Sequence, residues 1–153
     1  MMKIAYFGSL KTKFVKSGVE RYCKWLKPYI KLSLLELKSG GDINREQAEI
    51  IQKREATALL KKIKNEELIL LDECGEALTS RGLASFIKSK QITSRELVFA
   101  IGGYTGFHDE VKQSSLKTIA LSRMTFTHEM ALLLLVEQIY RSMKIIKGEK
   151  YHY

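Results

Sequence analysis

The chain has 153 residues, 45% hydrophobic and 28% charged, with one Pro and ten Gly, which suits one domain with its own core and leaves little room for a long linker or a disordered tail. Twenty-six Lys and Arg against 17 Asp and Glu give a net charge of +9, which points to a polyanionic partner before any motif is considered. Cys23 and Cys74 lie far apart and His108, His128 and His152 stand singly, so neither a disulfide framework nor a metal site is expected.

From the amino end, the short apolar run after Lys3 is too brief for a signal-peptide core. The longest apolar stretch, Met130 to Val136, is seven residues, where a membrane span needs about 20. A cytoplasmic location with no membrane partner is therefore expected. Residues 1–38 hold nine basic side chains against Glu20 and Glu36, so the basic surplus is N-terminal, and phosphate neutralisation is what such clusters commonly do.

Strand-like apolar runs alternate with helical patterns: Lys3–Phe7, Lys31–Leu37, Glu67–Asp72, Leu97–Ile101 and Lys117–Leu121 read as strands. The alternation predicts a parallel sheet with helices on both faces. A first helix, Thr12 to Leu26, is stopped near Pro28. A second opens at "NREQ", where Asn44 and Gln47 have the spacing of a capping box, and runs to about Lys64 with Ala48, Ile51, Ala58 and Leu59 on its apolar stripe. A third spans Ser80 to Lys88, a fourth Gly106 to Ser115, and a last begins near Thr127 with an apolar run around most of its circumference. Its first turns should be buried against the sheet or a partner.

In an open parallel sheet ligands bind at the carboxyl ends of strands. Three segments fall there: "LLDECGEALTS", "IGGYTGF" and "LSRMTFTHEM". The glycines at 102, 103 and 106 admit unusual torsions and close main-chain approach, but GGxxG is neither a dinucleotide fingerprint nor a phosphate-cradling loop. Asp72 and Glu73 are adjacent on a strand and should point in opposite directions, which argues against a catalytic carboxylate pair. Tyr104 and Thr105 read as surface choices.

Together with the opening "MKIAYFGSLK" and the ending "EQIYRSMKIIKGEKYHY", these segments resemble the RlmH family of ribosomal RNA large-subunit methyltransferases, in order and over almost the whole chain. The resemblance implies one SPOUT-like α/β domain over residues 1–153, with a C-terminal trefoil knot that sequence pattern alone would not suggest. It also implies a homodimer that uses S-adenosyl-L-methionine to methylate N3 of a pseudouridine in large-subunit ribosomal RNA, on the large subunit or the assembled ribosome. Cofactor contacts in the family match Leu71, Gly102, Leu121, Ser122, Arg123, Met124, Thr125 and Phe126. Taken without the family, Leu71, Leu121 and Met124 read as core.

The resemblance also implies that the C-terminal tail lies near the cofactor, with Tyr151 offering a ring for base stacking and His152 an imidazole. Arg141 is expected to hold a phosphate or a ring carbonyl; the plainer reading is an i,i+4 ion pair with Glu137. His152 is the first candidate to accept the N3 proton, with water the alternative. The family pattern carries Pro where this chain has Thr127, and Thr can instead cap the last helix; His128 then has a structural or supporting role. Two other readings stand beside this one: a non-catalytic RNA-binding module of the same fold, and an α/β enzyme for a small phosphorylated metabolite.

Overall fold

A computed structural model describes residues 1–151; His152 and Tyr153 lie outside the described residues. Ten elements alternate along the chain: strands β1 (Met2–Phe7), β2 (Leu32–Leu37), β3 (Glu67–Ala77), β4 (Leu97–Ile101) and β5 (Lys117–Ala120), and helices α1 (Lys13–Leu26), α2 (Ala48–Leu60), α3 (Ser80–Ile92), α4 (Asp109–Ser114) and α5 (His128–Ile146). The strands form one sheet in the order β2-β1-β4-β3-β5, with every pairing parallel.

Alternation along each strand divides the core between two faces. Met2, Ile4 and Tyr6 of β1, Ile69 and Leu71 of β3 and Phe99 of β4 pack with α1, α3 and α5, whereas Ala5, Phe7, Leu68, Leu70 and Val98 pack with α2 and α4. Helices cover both faces, as the apolar strand runs predict. On the first face α1 and α5 come close because Gly18 has no side chain: a Cβ there would lie 2.7 Å from Leu133 Cδ1.

Two caps set the helix starts nearest the sheet's carboxyl rim. Thr127 Oγ1 accepts the Met130 N–H at 3.3 Å and opens α5. The α1 N-cap, Thr12, makes no capping bond with its own side chain. Instead the buried Glu129 carboxylate, from the first turn of α5, accepts the Lys11 and Thr12 N–H groups at 3.0 and 2.9 Å. One acid thus satisfies donors at another helix's amino end, where the dipole also favours a negative charge.

The sequence reading differs from the structure at several points. The Asn44–Gln47 box does not form: α2 starts at Ala48, Gln47 makes no capping bond, and the Asn44 N–H donates to Asp42 Oδ1 at 2.9 Å within a turn. That local Asx turn uses the donor that a helix would need. The buried face of α2 is Ile51, Glu55, Ala56 and Leu59, while Ala48 is exposed and Ala58 half-buried. Helix α3 runs on to Ile92. Helix α4 starts only at Asp109, because Gly106 takes φ +73°, outside the helical region.

Strand β3 runs past Asp72 to Ala77, with a break in register: Ile119 pairs with both Leu71 and Glu76. The intervening residues bulge, and Asp72 Oδ1 accepts the Cys74 N–H at 2.9 Å across the bend. Gly75 is required there, since a Cβ would lie 2.7 Å from the Ile119 carbonyl carbon.

Candidate cofactor crevice

Strands β3, β4 and β5 end side by side, and the segments that follow them enclose a crevice of about 400 Å³, within the range of about 300–1,000 Å³ usual for small-molecule sites. Its walls come from Leu71 to Glu73, from Ile101 to Phe107, and from Leu121, Ser122 and Met124 to His128. Of the eight residues matched to cofactor contacts, all but Arg123 line it.

Each wall has its own support. Ser122 Oγ accepts the Met124 N–H at 3.0 Å, the Thr125 hydroxyl donates to the Glu73 carboxylate, and the Arg123 guanidinium donates to the Glu73 carbonyl at 3.3 Å. Arg123 therefore ties the β5–α5 segment to the β3 bulge rather than facing the crevice. Asp72 and Glu73 both line it, contrary to the expectation from strand alternation, because the register break releases them from the pleat.

Tyr104 and Thr105 line the crevice as well; Tyr104 is at the surface, as expected, and Thr105 is half-buried. The Thr105 Oγ1 and His128 Nε2 atoms are buried without a hydrogen-bond partner among the described residues. The Tyr104 and His128 rings meet nearly perpendicular at 5.4 Å across the opening. The floor is apolar: Leu71 is 8% exposed, whereas Met124 at the rim is 74% exposed. A Cβ at Gly102 would press on the Phe107 ring at 3.3 Å.

Arg141 and Tyr151 form a separate group further along α5. Arg141 makes the i,i+4 pair with Glu137, Nε at 3.1 Å and Nη2 at 2.7 Å from Oε1, and that partner raises its already high pKa. The guanidinium stands 4.8 Å from the centroid of the Tyr151 ring, which also packs edge-on to Tyr140 at 5.0 Å. Burial, aided by the Tyr22 hydroxyl and the Glu137 carboxylate, pushes the Tyr151 phenol well above its ordinary range. Neither Arg141 nor Tyr151 lines the crevice of its own chain. Arg141 lies thirteen positions along α5 from His128, which is about 20 Å along the axis. His152, the expected proton acceptor, lies outside the described residues.

Sequence reasoning missed Glu129, the Asp72–Glu73 bulge and, on α2, Gln52 and Glu55, which support the glycine segment from behind. In "IIQKREATALL" nothing distinguishes Glu55 from a solvated charge. Among the described residues no group of His, Cys, Asp or Glu could hold a metal ion, and no helix is long and apolar enough to cross a membrane.

A parallel α/β sheet with its crevice outside the carboxyl ends of adjacent strands belongs to the open-sheet class of ligand-binding domains. Within that class, the family model described as "Predicted SPOUT methyltransferase" matches residues 1–152, and the chain belongs to that methyltransferase family. It is similar to proteins named "Ribosomal RNA large subunit methyltransferase H". The one from Kosmotoga olearia is 46% identical, with 99% of each chain covered. The one from Geobacter sp. strain M21 is 42% identical over 99% of this chain and 98% of its own, and that from Thermotoga neapolitana 38% identical with 99% of each covered.

Proposed function

We propose that the protein transfers a methyl group from S-adenosyl-L-methionine to N3 of a pseudouridine in large-subunit ribosomal RNA, acting in the cytoplasm on the assembled subunit or ribosome. The observation that carries this reading is the crevice at the ends of β3, β4 and β5, lined by Leu71, Gly102 and Leu121. Its composition fits the group: apolar walls for an adenine face, main-chain N–H and C=O groups for its edge, and two carboxylates at the rim for hydroxyls or a cation. Leu71, Gly102, Leu121, Ser122, Met124, Thr125 and Phe126 would hold the cofactor, with Arg123 bracing their segment. When bound, the cofactor supplies a methyl carbon on a cationic sulfur with a neutral leaving group, so no enzyme nucleophile is called for.

The chain's own task is then to orient the target and remove the N3 proton. Holding two reactants in line is worth up to about 7–11 kcal/mol of barrier. Arg141, fixed by Glu137, presents its guanidinium to a phosphate or ring carbonyl, and Tyr151 offers a stacking face. His152 accepts the N3 proton. As the Arg141–Tyr151 group lies about 20 Å along α5 from the crevice of its own chain, the reading is of a homodimer whose composite site takes the crevice from one copy and the tail from the other.

An exposed aromatic strip supports the dimer: Phe14 is 66% and Trp25 43% exposed on α1, and the Trp25 ring packs at a tilt against Tyr140 of α5, centroids 5.6 Å apart. The polyanionic partner is supported by Lys11, Lys13, Lys16, Arg21, Lys24 and Lys27, all exposed and in no ion pair among the described residues. Residues 1–153 form one domain on this reading, with the family's trefoil knot in the C-terminal part.

Incubating the protein with methyl-labelled cofactor and ribosomes, then digesting the RNA for nucleoside mass spectrometry, tests the proposal. One added methyl on pseudouridine is expected. Cofactor binding without any transfer to large-subunit RNA would overturn the substrate assignment, and absence of cofactor binding would leave the RNA-binding module.

A further inference from the structure

Helix α2 contributes no residue to the crevice lining, yet its buried face carries an acid aimed at the crevice's back wall. Glu55 is 4% exposed. Its Oε1 accepts the Gly40 N–H at 3.0 Å, and its Oε2 is buried with no hydrogen-bond partner among the described residues. The two buried glutamates of the described residues differ in this respect, because both oxygens of Glu129 are used. An isolated carboxylate in such surroundings is costly, and burial pushes the Glu55 carboxyl above its ordinary range, opposed by the N–H groups of Gly40 and Gly103.

Two glycines on different segments fit around this one side chain. A Cβ at Gly103 would lie 2.7 Å from each Glu55 oxygen, and one at Gly40 would lie 2.9 Å from Glu55 Cγ. The segment at Gly40 is held again by Arg54, which donates to the Gly40 carbonyl at 3.0 Å. One turn before Glu55, Gln52 donates to the Thr105 carbonyl. Positions 52 and 55 share a helix face, so α2 grips the Gly102–Gly106 segment at two points from the side opposite the crevice.

We propose that Glu55 is a positioning residue for cofactor binding: wedged between Gly40 and Gly103, with Gln52 as its second hold, it fixes the glycine segment that forms the crevice's back wall. This rests on the reading of the crevice as the S-adenosyl-L-methionine site. Removing the wedge lets the segment relax into the space behind it, and the main-chain donors and acceptors that meet the ligand lose their spacing. Gly103 is then a glycine because a carboxylate stands where its side chain would be, not because its torsions demand it.

Calorimetric titration with S-adenosyl-L-methionine, on proteins shown to be folded at the working temperature, tests this. Glu55→Ala should weaken cofactor affinity tenfold or more and raise the cofactor KM without changing the ribosome KM. Glu55→Gln, which keeps the volume and the Gly40 bond, should stay within about threefold of the parent. Gln52→Ala, truncating a half-buried side chain outside the core, should lose severalfold affinity and serves if Glu55→Ala fails to fold. Unchanged cofactor affinity in folded Glu55→Ala, or in Gln52→Ala where only that variant folds, would overturn the proposal. No binding by the parent protein would instead overturn the cofactor reading on which it rests.

Discussion

Glu129 joins the first turn of α5 to the amino end of α1, and the effect of removing it follows from what it leaves behind. Glu129→Ala would strand the Lys11 and Thr12 N–H groups and should cost about 2 kcal/mol, since unmade buried hydrogen bonds carry a desolvation penalty; denaturant unfolding reads this directly. At the far rim of the sheet, Lys3 pairs with Glu66. That bond and the Lys64 N–H hold the Glu66 carboxyl at about 2, against an ordinary 4.5. A folded-state value below the unfolded one stabilises above the unfolded pKa, and the contribution is lost as pH falls through the folded value. Stability should therefore drop by on the order of 2 kcal/mol as pH falls from about 5 towards 2. Lys3→Met should flatten that fall, and parallel curves for parent and variant would contradict the assignment. At this scale the sequence is legible where a residue's chemistry is local: Gly102, Leu71 and Thr127 stand in segments whose place in a parallel sheet is fixed by pattern. It is not legible where the partner is distant. Glu55 and Glu129 become buried acids only where distant segments meet them, the Gly40 N–H at one and the Lys11 and Thr12 N–H groups at the other.

Among the elements, the strands follow their apolar runs closely, because a buried parallel strand must be apolar on both sides. Helix ends are less legible in the sequence, since each terminus chooses among competing partners. Asn44 illustrates this: its N–H is taken by Asp42 Oδ1, so Asn44→Ala should change stability by less than about 0.5 kcal/mol. At Thr127 the capping bond is made, and Thr127→Ala should cost about 1 kcal/mol. Thermal unfolding of the two variants side by side separates them, and equal losses would contradict the assignment of caps. The β3 bulge is not legible because the apolar run stops at Leu71 and nothing in "DECGEA" marks renewed pairing; only the pairing of Ile119 with two residues of β3 turns Asp72 and Glu73 to the same cavity.

For the whole molecule, charge and exposed aromatic surface are read together. Replacing Lys16 and Lys24 by Gln should weaken ribosome binding and reduce its salt dependence by a slope of about one to two, with cofactor affinity unchanged because the crevice is built from other segments. Trp25→Glu should shift the protein to monomers in sedimentation and abolish transfer while cofactor still binds. A monomeric variant that methylates at the parent's rate would remove the composite site. The net charge of +9 can be read from the sequence, but the distance between the crevice and the Arg141–Tyr151 group depends on the length and direction of α5 within the fold. The most direct measurement is a crystal structure grown with saturating S-adenosyl-L-methionine. Density for its adenosine between Leu71, Leu121 and the Gly102 main chain is the predicted result, and a crevice empty at full saturation, with the ligand elsewhere or absent, would contradict it.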